Sequence, residues 1–189
     1  MVSVVPLVKK SSMYQGKTDY LKLPEDYDQF LNSFPKGTVL IAFGNTWQPR
    51  EKRFVELISM IRQLPDVGFI ISLKLEWASH HAIKNENFPN VYLRTFVPQK
   101  ELLNDKRVFT FISHGGANSI QESLYYGKPI IGMPLAWDQY GTCYRMETLG
   151  AGISLADKPL AKNMVKIVRD LIIEPGKPLH EIHRKVQEI

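Results

Sequence analysis

The segment SHGGANSIQE, residues 113–122, holds the residue types best suited to binding a phosphorylated ligand. Its glycine pair lets the backbone approach a ligand closely, and free amides at the start of a helix favour phosphate. His114 would add a ring donor, while Asn118 and Ser119 would add side-chain donors. The ligand that this spacing predicts is a diphosphate.

An alternative interpretation of the same segment needs no ligand. The glycines would then make a tight turn, and Ser119-x-x-Glu122 would be a capping box that satisfies the first amides of the helix. His114 alone would more often be a hydrogen-bonded structural histidine. For Glu122, capping and ligand binding both remain open from these residues alone.

Polar residues also follow two other predicted strands. Gly44-Asn45-Thr46 comes after the apolar run TVLIAF, and Phe96-Val97-Pro98-Gln99 comes after NVYLRT. In an open parallel sheet, ligands sit beyond the carboxyl ends of the strands, where loops lead into helices. We therefore expect the three groups to lie at one edge of the sheet.

The elements that would position these groups follow from the alternation of apolar runs with amphipathic segments. Strands are predicted at residues 38–43, 67–73, 90–95, 108–113, 129–134 and 151–155. Helices are predicted at residues 23–34, 51–64, 100–104, 118–126, 139–149, 160–173 and 178–189. Because right-handed crossovers place helices over both faces of such a sheet, the pattern predicts an α/β fold with a doubly wound, Rossmann-like parallel sheet.

The composition is that of an ordinary globular domain. The 189 residues suit one domain, and 44% hydrophobic with 23% charged residues excludes disorder, collagen and coiled coil. The net charge of +5 is scattered rather than gathered in a block, which favours a solvated surface first, a small anionic ligand second and nucleic acid a poor third. The single cysteine, Cys143, is interpreted as a small buried hydrophobe. No apolar run approaches the roughly 18 to 20 residues that span a bilayer.

The full set of motif residues indicates the function more specifically than the glycine turn alone. H-x-G-x-N-S-x-x-E is followed by G-x-P and by Asp138-Gln139, and packing offers no simple explanation for these polar residues. The segment FVPQKELLNDKRVFTFISHGGANSIQESLYYGKPIIGMPLAWDQ resembles the UDP-glycosyltransferase family, which includes animal UDP-glucuronosyltransferases and plant glycosyltransferases. LPEDYDQFL and TVLIAFGN resemble the start of that family's C-terminal domain. The resemblance therefore implies a nucleotide-sugar-binding domain at residues 23–189, with residues 1–22 as a linker or peripheral segment.

On the base and ribose side, the resemblance assigns roles to four residues. It implies that Phe96 lies against the uracil face and that Val97 contacts the base through its backbone. Gln99 would lie near the ribose, and Glu122 would accept hydrogen bonds from the ribose hydroxyls. An aromatic ring suits a flat base, which agrees with these roles.

On the phosphate and sugar side, the resemblance assigns the remaining donor-binding residues. Those that would hold the diphosphate are His114, Gly116, Asn118 and Ser119. Asp138 and Gln139 would hold the hydroxyls of the donor sugar, although the pair could also be an ordinary helix start. Further phosphate-side contacts are expected from Gly44, Asn45 and Thr46.

The chain departs from the family at several positions. Phe96 stands where the family usually has Trp, Asn45 where Ser is common, and Thr142 where Asn is frequent. These departures predict weaker base stacking and altered phosphate-side contacts. Trp137 could shape the sugar pocket or fill the core, and we predict that it packs in the core.

The resemblance also implies how the work is divided in a complete enzyme. The family has two Rossmann-like domains that close over a cleft, the GT-B arrangement, and its catalytic base is a His assisted by an Asp in the N-terminal domain. We therefore expect this chain to be the C-terminal half of such an enzyme, with no catalytic residue, no metal and no cofactor of its own. The acceptor, a small lipophilic or hydroxyl compound, would be held by the missing domain. A C-terminal anchor, also missing here, would tie the parent enzyme to the endoplasmic reticulum membrane.

Two other classes stay open. One is a non-catalytic UDP-sugar-binding module or the separate donor-binding subunit of a split glycosyltransferase. The other is a nicotinamide oxidoreductase, which shares the architecture. The turn after the first strand, Gly44-Asn45-Thr46-Trp47, lacks the usual G-x-G-x-x-G, which disfavours the oxidoreductase.

Overall fold

The computed structural model describes residues 22–44, 49, 51–74, 88–156 and 160–172. The helices are α1 Glu25–Asn32, α2 Glu51–Arg62, α3 Gln99–Asn104, α4 Ala117–Tyr125, α5 Asp138–Thr148 and α6 Leu160–Ile172. The strands are β1 Thr38–Ala42, β2 Gly68–Ser72, β3 Val91–Arg94, β4 Val108–Ser113, β5 Ile130–Gly132 and β6 Gly152–Ser154.

The central strands are buried along almost their whole length because helices cover both faces of the sheet. Along β1, Val39 and Ile41 point into one core cluster, which α2 and α6 close. Leu40 and Ala42 point into a second cluster on the opposite face, which α1 and α3 close. This alternation of side chains is the one that a strand buried on both faces requires.

All six strands run parallel in the order β3-β2-β1-β4-β5-β6. The order reverses between β1 and β4, and this is the point where open α/β sheets bind ligands. The carboxyl ends of the strands are in register, since Ala42 pairs with both Ser72 and Ser113. Ser113 in turn pairs with Gly132. The loops that follow β1, β3, β4 and β5 therefore leave from one edge of the sheet.

The predicted elements within the described residues are confirmed, with ends shifted by only a few residues. Several predictions concern residues outside the described ranges: the linker apart from Lys22, the helix at 178–189, and the side chains of Asn45 and Thr46. None of the helices in the described part of the chain is both long and apolar enough to cross a membrane.

Candidate functional site

The turn between β4 and α4 is shaped by its glycines. Gly115 has φ +87°, in the left-handed region that disfavours side chains. A Cβ added there would lie 2.3 Å from the Sγ atom of Cys143, which is fully buried in α5. The hydroxyl of Thr142 donates to the Gly115 carbonyl at 2.6 Å. The turn is thus packed from behind by α5, and only glycine fits at position 115.

Sequence reasoning missed how Thr142 and Cys143 support this turn. The sequence indicates Thr142 only as a departure from the family and Cys143 only as a buried hydrophobe. Burial of Cys143 is confirmed, and it raises the pKa of the thiol to about 12. The thiol therefore stays protonated and acts as a packing group.

The first turn of α4 has no side-chain cap. The N-cap residue is Gly116, in an extended conformation, and no side chain bonds to the first amides. The first backbone bond of the helix joins the Ile120 amide to the Gly116 carbonyl at 3.0 Å. Ser119 is the third residue of the helix rather than its cap, so the capping-box alternative is wrong. The amides at this helix start face the sheet's carboxyl edge, where an anion would satisfy them.

His114 lies between two glycines at the switch point of the sheet. A Cβ at Gly44 would lie 3.1 Å from its Cε1 atom, and a Cβ at Gly116 would lie 2.6 Å from its Nε2 atom. The ring can occupy this position because both neighbours lack side chains. Its Nδ1 atom is buried and has no hydrogen-bond partner among the described residues. Because Nδ1 is buried, the nitrogen that lies nearest Gly116 and the start of α4 is Nε2.

Burial lowers the pKa of His114, and this outweighs the opposing effects of the Ala42 carbonyl and the Asp138 carboxylate. The imidazole is therefore neutral at pH 7. In that form it can donate one hydrogen bond to a phosphate oxygen without carrying a charge of its own.

A second cluster joins α3 to α4. The amide of Gln99 donates to a carboxylate oxygen of Glu122 at 2.9 Å and lies 3.5 Å from the Ser119 hydroxyl. The ammonium group of Lys100 lies 3.7 Å from the other Glu122 oxygen. The structure thus brings together Gln99 and Glu122, which the resemblance places at the ribose, and Ser119, which it places at the diphosphate. Lys100 was missed, since only its place beside Gln99 in the sequence could have indicated it.

Phe96 and Val97 have opposite environments in the loop after β3. Phe96 is 75% exposed, and Val97 is 4% exposed within the core cluster beneath α1 and α3. The Val97 side chain anchors the loop, while the Phe96 ring presents a free aromatic surface beside the Gln99 cluster. An exposed ring of this kind is available to stack on a planar ligand.

The three neighbouring residues at the start of α5, Trp137, Asp138 and Gln139, differ in solvent exposure. Asp138 is exposed, whereas Gln139 is only 7% exposed, and its side-chain oxygen Oε1 accepts from the backbone amides of Leu135 and Ala136 at 2.9 and 3.1 Å. The prediction that Trp137 packs in the core is wrong: it is 84% exposed. Its positive φ of 52° turns the side chain outward at the helix N-cap.

Asn118 is exposed at the uncapped end of α4, and Gly44 follows β1 with a φ of 71°. Within the described ranges, no group of three or more His, Cys, Asp or Glu side chains could hold a metal ion. The polar groups at this edge include backbone amides, the His114 imidazole, the Ser119 hydroxyl and the Glu122 carboxylate with its Gln99 and Lys100 partners, a set suited to a phosphorylated ribonucleoside.

The sequence matches one protein family over most of its length. The family model described as UDP-glucoronosyl and UDP-glucosyl transferase matches residues 15–177. The chain is 31% identical over 170 residues to human 2-hydroxyacylsphingosine 1-beta-galactosyltransferase, covering 86% of this chain and 30% of that protein. It is 30% identical over 156 residues to mouse UDP-glucuronosyltransferase 3A2, covering 78% and 29% respectively. The chain thus spans under a third of the length of these relatives.

Solved structures agree with the fold. A UDP-glucose:anthocyanidin 3-O-glucosyltransferase in complex with UDP superposes with a TM-score of 0.69 at 25% identity, over 85% of this chain and 37% of that one. Os79 from O. sativa, in complex with UDP, has a TM-score of 0.74 at 20% identity, over 88% and 39%. The predicted fold class, a doubly wound Rossmann-like sheet from one half of a GT-B glycosyltransferase, is confirmed. With the family model matching most of its length, the chain belongs to the UDP-glycosyltransferase family.

Proposed function

We propose that this chain binds a UDP-sugar at the carboxyl edge of its sheet, as the donor-binding domain of a glycosyltransferase. One observation carries the proposal: the uncapped start of α4 lies beside the Gln99–Glu122 pair, with the Ser119 hydroxyl 3.5 Å from the Gln99 amide. Such a site offers donors to a diphosphate at one end and a carboxylate to a ribose diol at the other. Solved relatives in complex with UDP support it.

In this proposal the uracil stacks on Phe96 and meets the backbone of Val97. Gln99 and Glu122 hold the ribose, with Lys100 keeping the carboxylate oriented. The diphosphate is bound by residues of the loops after β1 and β4 and of the start of α4. These residues are Gly44, Asn45, Thr46, His114, Gly116, Asn118 and Ser119. The donor sugar lies toward Asp138 and Gln139. The side-chain oxygen Oε1 of Gln139 already accepts hydrogen bonds from the loop before α5.

The reaction proposed for the complete enzyme is transfer of a hexosyl or glucuronosyl group to an acceptor hydroxyl. Two tasks are required: stabilising the leaving diphosphate and deprotonating the acceptor. The residues described here suit the first task. Deprotonation of the acceptor and the acceptor site itself are assigned to the part of the enzyme that this chain does not span. The chain covers 30% of the human galactosyltransferase to which it is similar.

UDP binding is expected to be independent of divalent metal. Every proposed phosphate contact is a backbone amide or a neutral side chain, so no ion has to bridge protein and ligand. Titration calorimetry with excess magnesium and with a chelator should give the same dissociation constant for UDP. An affinity that vanishes in chelator would show that the phosphates are held through a metal.

The 189-residue chain alone is expected to transfer no sugar. A half-cleft cannot orient an acceptor, and the orientation of two reactants contributes much of an enzyme's rate. The measurement is formation of glycoside from a radiolabelled UDP-sugar with a panel of hydroxyl acceptors. Slow hydrolysis of the donor is compatible with this expectation, whereas repeated turnover to glycoside would refute it.

A further inference from the structure

Helix α1 contacts the loop that carries Phe96. Tyr27, in the first turn of α1, is only 5% exposed, and its hydroxyl donates to the Phe96 carbonyl at 3.5 Å. This contact joins residues 69 positions apart and reaches the backbone directly beside the exposed ring. The Phe96 peptide is therefore held from the core side by a side chain outside the site described above.

The direction of the Tyr27 hydroxyl is fixed by packing. The Tyr27 ring meets the Tyr92 ring edge-on, with centroids 5.0 Å apart and planes at 68°. Both rings belong to or pack against the cluster that contains Leu31 and Val97. Burial raises the pKa of Tyr27, so its hydroxyl keeps its proton and remains a donor at neutral pH. A buried ring with one fixed donor restrains its acceptor more than a mobile surface side chain would.

The end of β3 is tied to the same helix. The Tyr92 hydroxyl donates to Asp26 and accepts from Arg94, the last residue of the strand. The Arg94 guanidinium also lies over the Tyr92 ring, 3.8 Å from its centroid. These contacts link the first turn of α1 to Arg94, two positions before Phe96.

The other side of α1 is anchored independently. Arg107 donates to Asp28 at 2.7 Å and to Asn32 at 2.6 Å, and it also pairs with Asp105 at 2.6 Å. These bonds join α1 to the turn before β4. Because α1 is fixed on this side as well, it provides a stable support from which Tyr27 reaches the loop.

Building on the proposed function, we infer that Tyr27 is a positioning residue for recognition of the uracil base. Its hydroxyl holds the Phe96 carbonyl, and this sets the orientation of the Phe96–Val97 peptide and of the ring on which the base stacks. The smaller face of Phe96, compared with a tryptophan, makes the correct placement of that ring more important for affinity.

Tyr27→Phe tests this inference because it keeps the ring and removes only the hydroxyl. We expect the affinities for uridine and UDP to fall by the same factor, about 2- to 3-fold, the lower end of the range for one hydrogen bond, because this bond is long. Affinity for inorganic pyrophosphate should not change, since the phosphate side is untouched. The matched control is Ser33→Ala, which also removes one hydroxyl from the α1 region, where among the described residues it bonds only to the Gln29 carbonyl of the same helix, and should leave all three affinities unchanged.

The outcomes separate this inference from the proposed function. If Tyr27→Phe lowers the melting temperature but leaves uridine affinity at the wild-type value, Tyr27 is only structural and the inference is overturned. If the wild-type chain binds neither uridine nor UDP, the proposed function itself fails, and the inference fails with it. A parallel loss of uridine and UDP affinity, with pyrophosphate unchanged, supports both.

Discussion

Gly115→Ala is expected to destabilise the chain by about 2–5 kcal/mol, the sum of two unfavourable effects. An L-residue at φ +87° costs roughly 1–2 kcal/mol, and an added methyl group in a tightly packed region costs about 1–3 kcal/mol. The new Cβ would lie 2.3 Å from the Cys143 sulfur and 3.3 Å from the Gln139 carbonyl oxygen. The free energy of unfolding from urea denaturation measures the loss.

Two other glycines of the chain provide controls that separate these effects. Gly150 has φ +70° but no atom within 4 Å of an added Cβ, so Gly150→Ala should show only the backbone cost. Gly141 lies inside α5 with nothing within 4 Å, and Gly141→Ala should stabilise by up to about 1 kcal/mol through helix propensity.

A rescue experiment identifies the cause of the Gly115→Ala loss. Shortening the opposing side chain with Cys143→Ala should recover part of the stability, so the double variant should be more stable than additivity predicts. If Gly115→Ala is no more harmful than Gly150→Ala, the close packing of the turn against α5 is not a constraint.

His114→Ala is expected to weaken UDP binding by about 10- to 150-fold, because it removes a hydrogen bond to a charged group worth roughly 1.5–3 kcal/mol. Uridine, which has no phosphate, should bind almost as it does to the wild-type chain. Calorimetry with the two ligands gives this comparison, and the melting temperature shows whether the variant remains folded.

Gly116→Ala tests the role of His114 in UDP binding without removing the imidazole. Its backbone, with φ −61°, accepts a side chain without strain, but the new Cβ would lie 2.6 Å from His114 Nε2 and displace the ring. We expect the same selective loss of UDP affinity with the imidazole still present. Unchanged UDP affinity in both folded variants would return His114 to a purely structural role.

Glu122→Gln should give a different pattern from the His114 variant. A carboxylate that binds the ribose is felt by uridine and UDP alike, so both affinities should fall together. The uncapped start of α4 excludes a capping contribution, so the melting temperature should change little. If only the affinity for UDP fell, Glu122 would have to act on the phosphates rather than on the ribose.

The central strands could be predicted from the sequence because they are buried on both faces. TVLIAF and VFTFIS are continuous apolar runs, and the polar residues that follow them had to lie at one edge once the sheet was parallel. The same reasoning, together with the family resemblance, places Gln99, Ser119 and Glu122 at that edge, and the structure brings these three residues together.

Other features depend on contacts that sequence spacing does not encode. The capping box failed because α4 begins at Ala117, two residues before Ser119, and spacing alone does not fix where a helix begins. Trp137 looked like a core residue by type, but its backbone conformation turns it toward solvent. The contact between Gly115 and Cys143 joins two elements distant in sequence, so no local pattern could reveal it.

The central claim is that the carboxyl edge of this sheet binds a uridine diphosphate. Calorimetric titration of the 189-residue chain with UDP, UDP-glucose, UDP-glucuronic acid and NADH tests it directly. The account predicts saturable binding of UDP at one site per chain and no measurable binding of NADH. Binding of NADH without binding of any uridine nucleotide would contradict it.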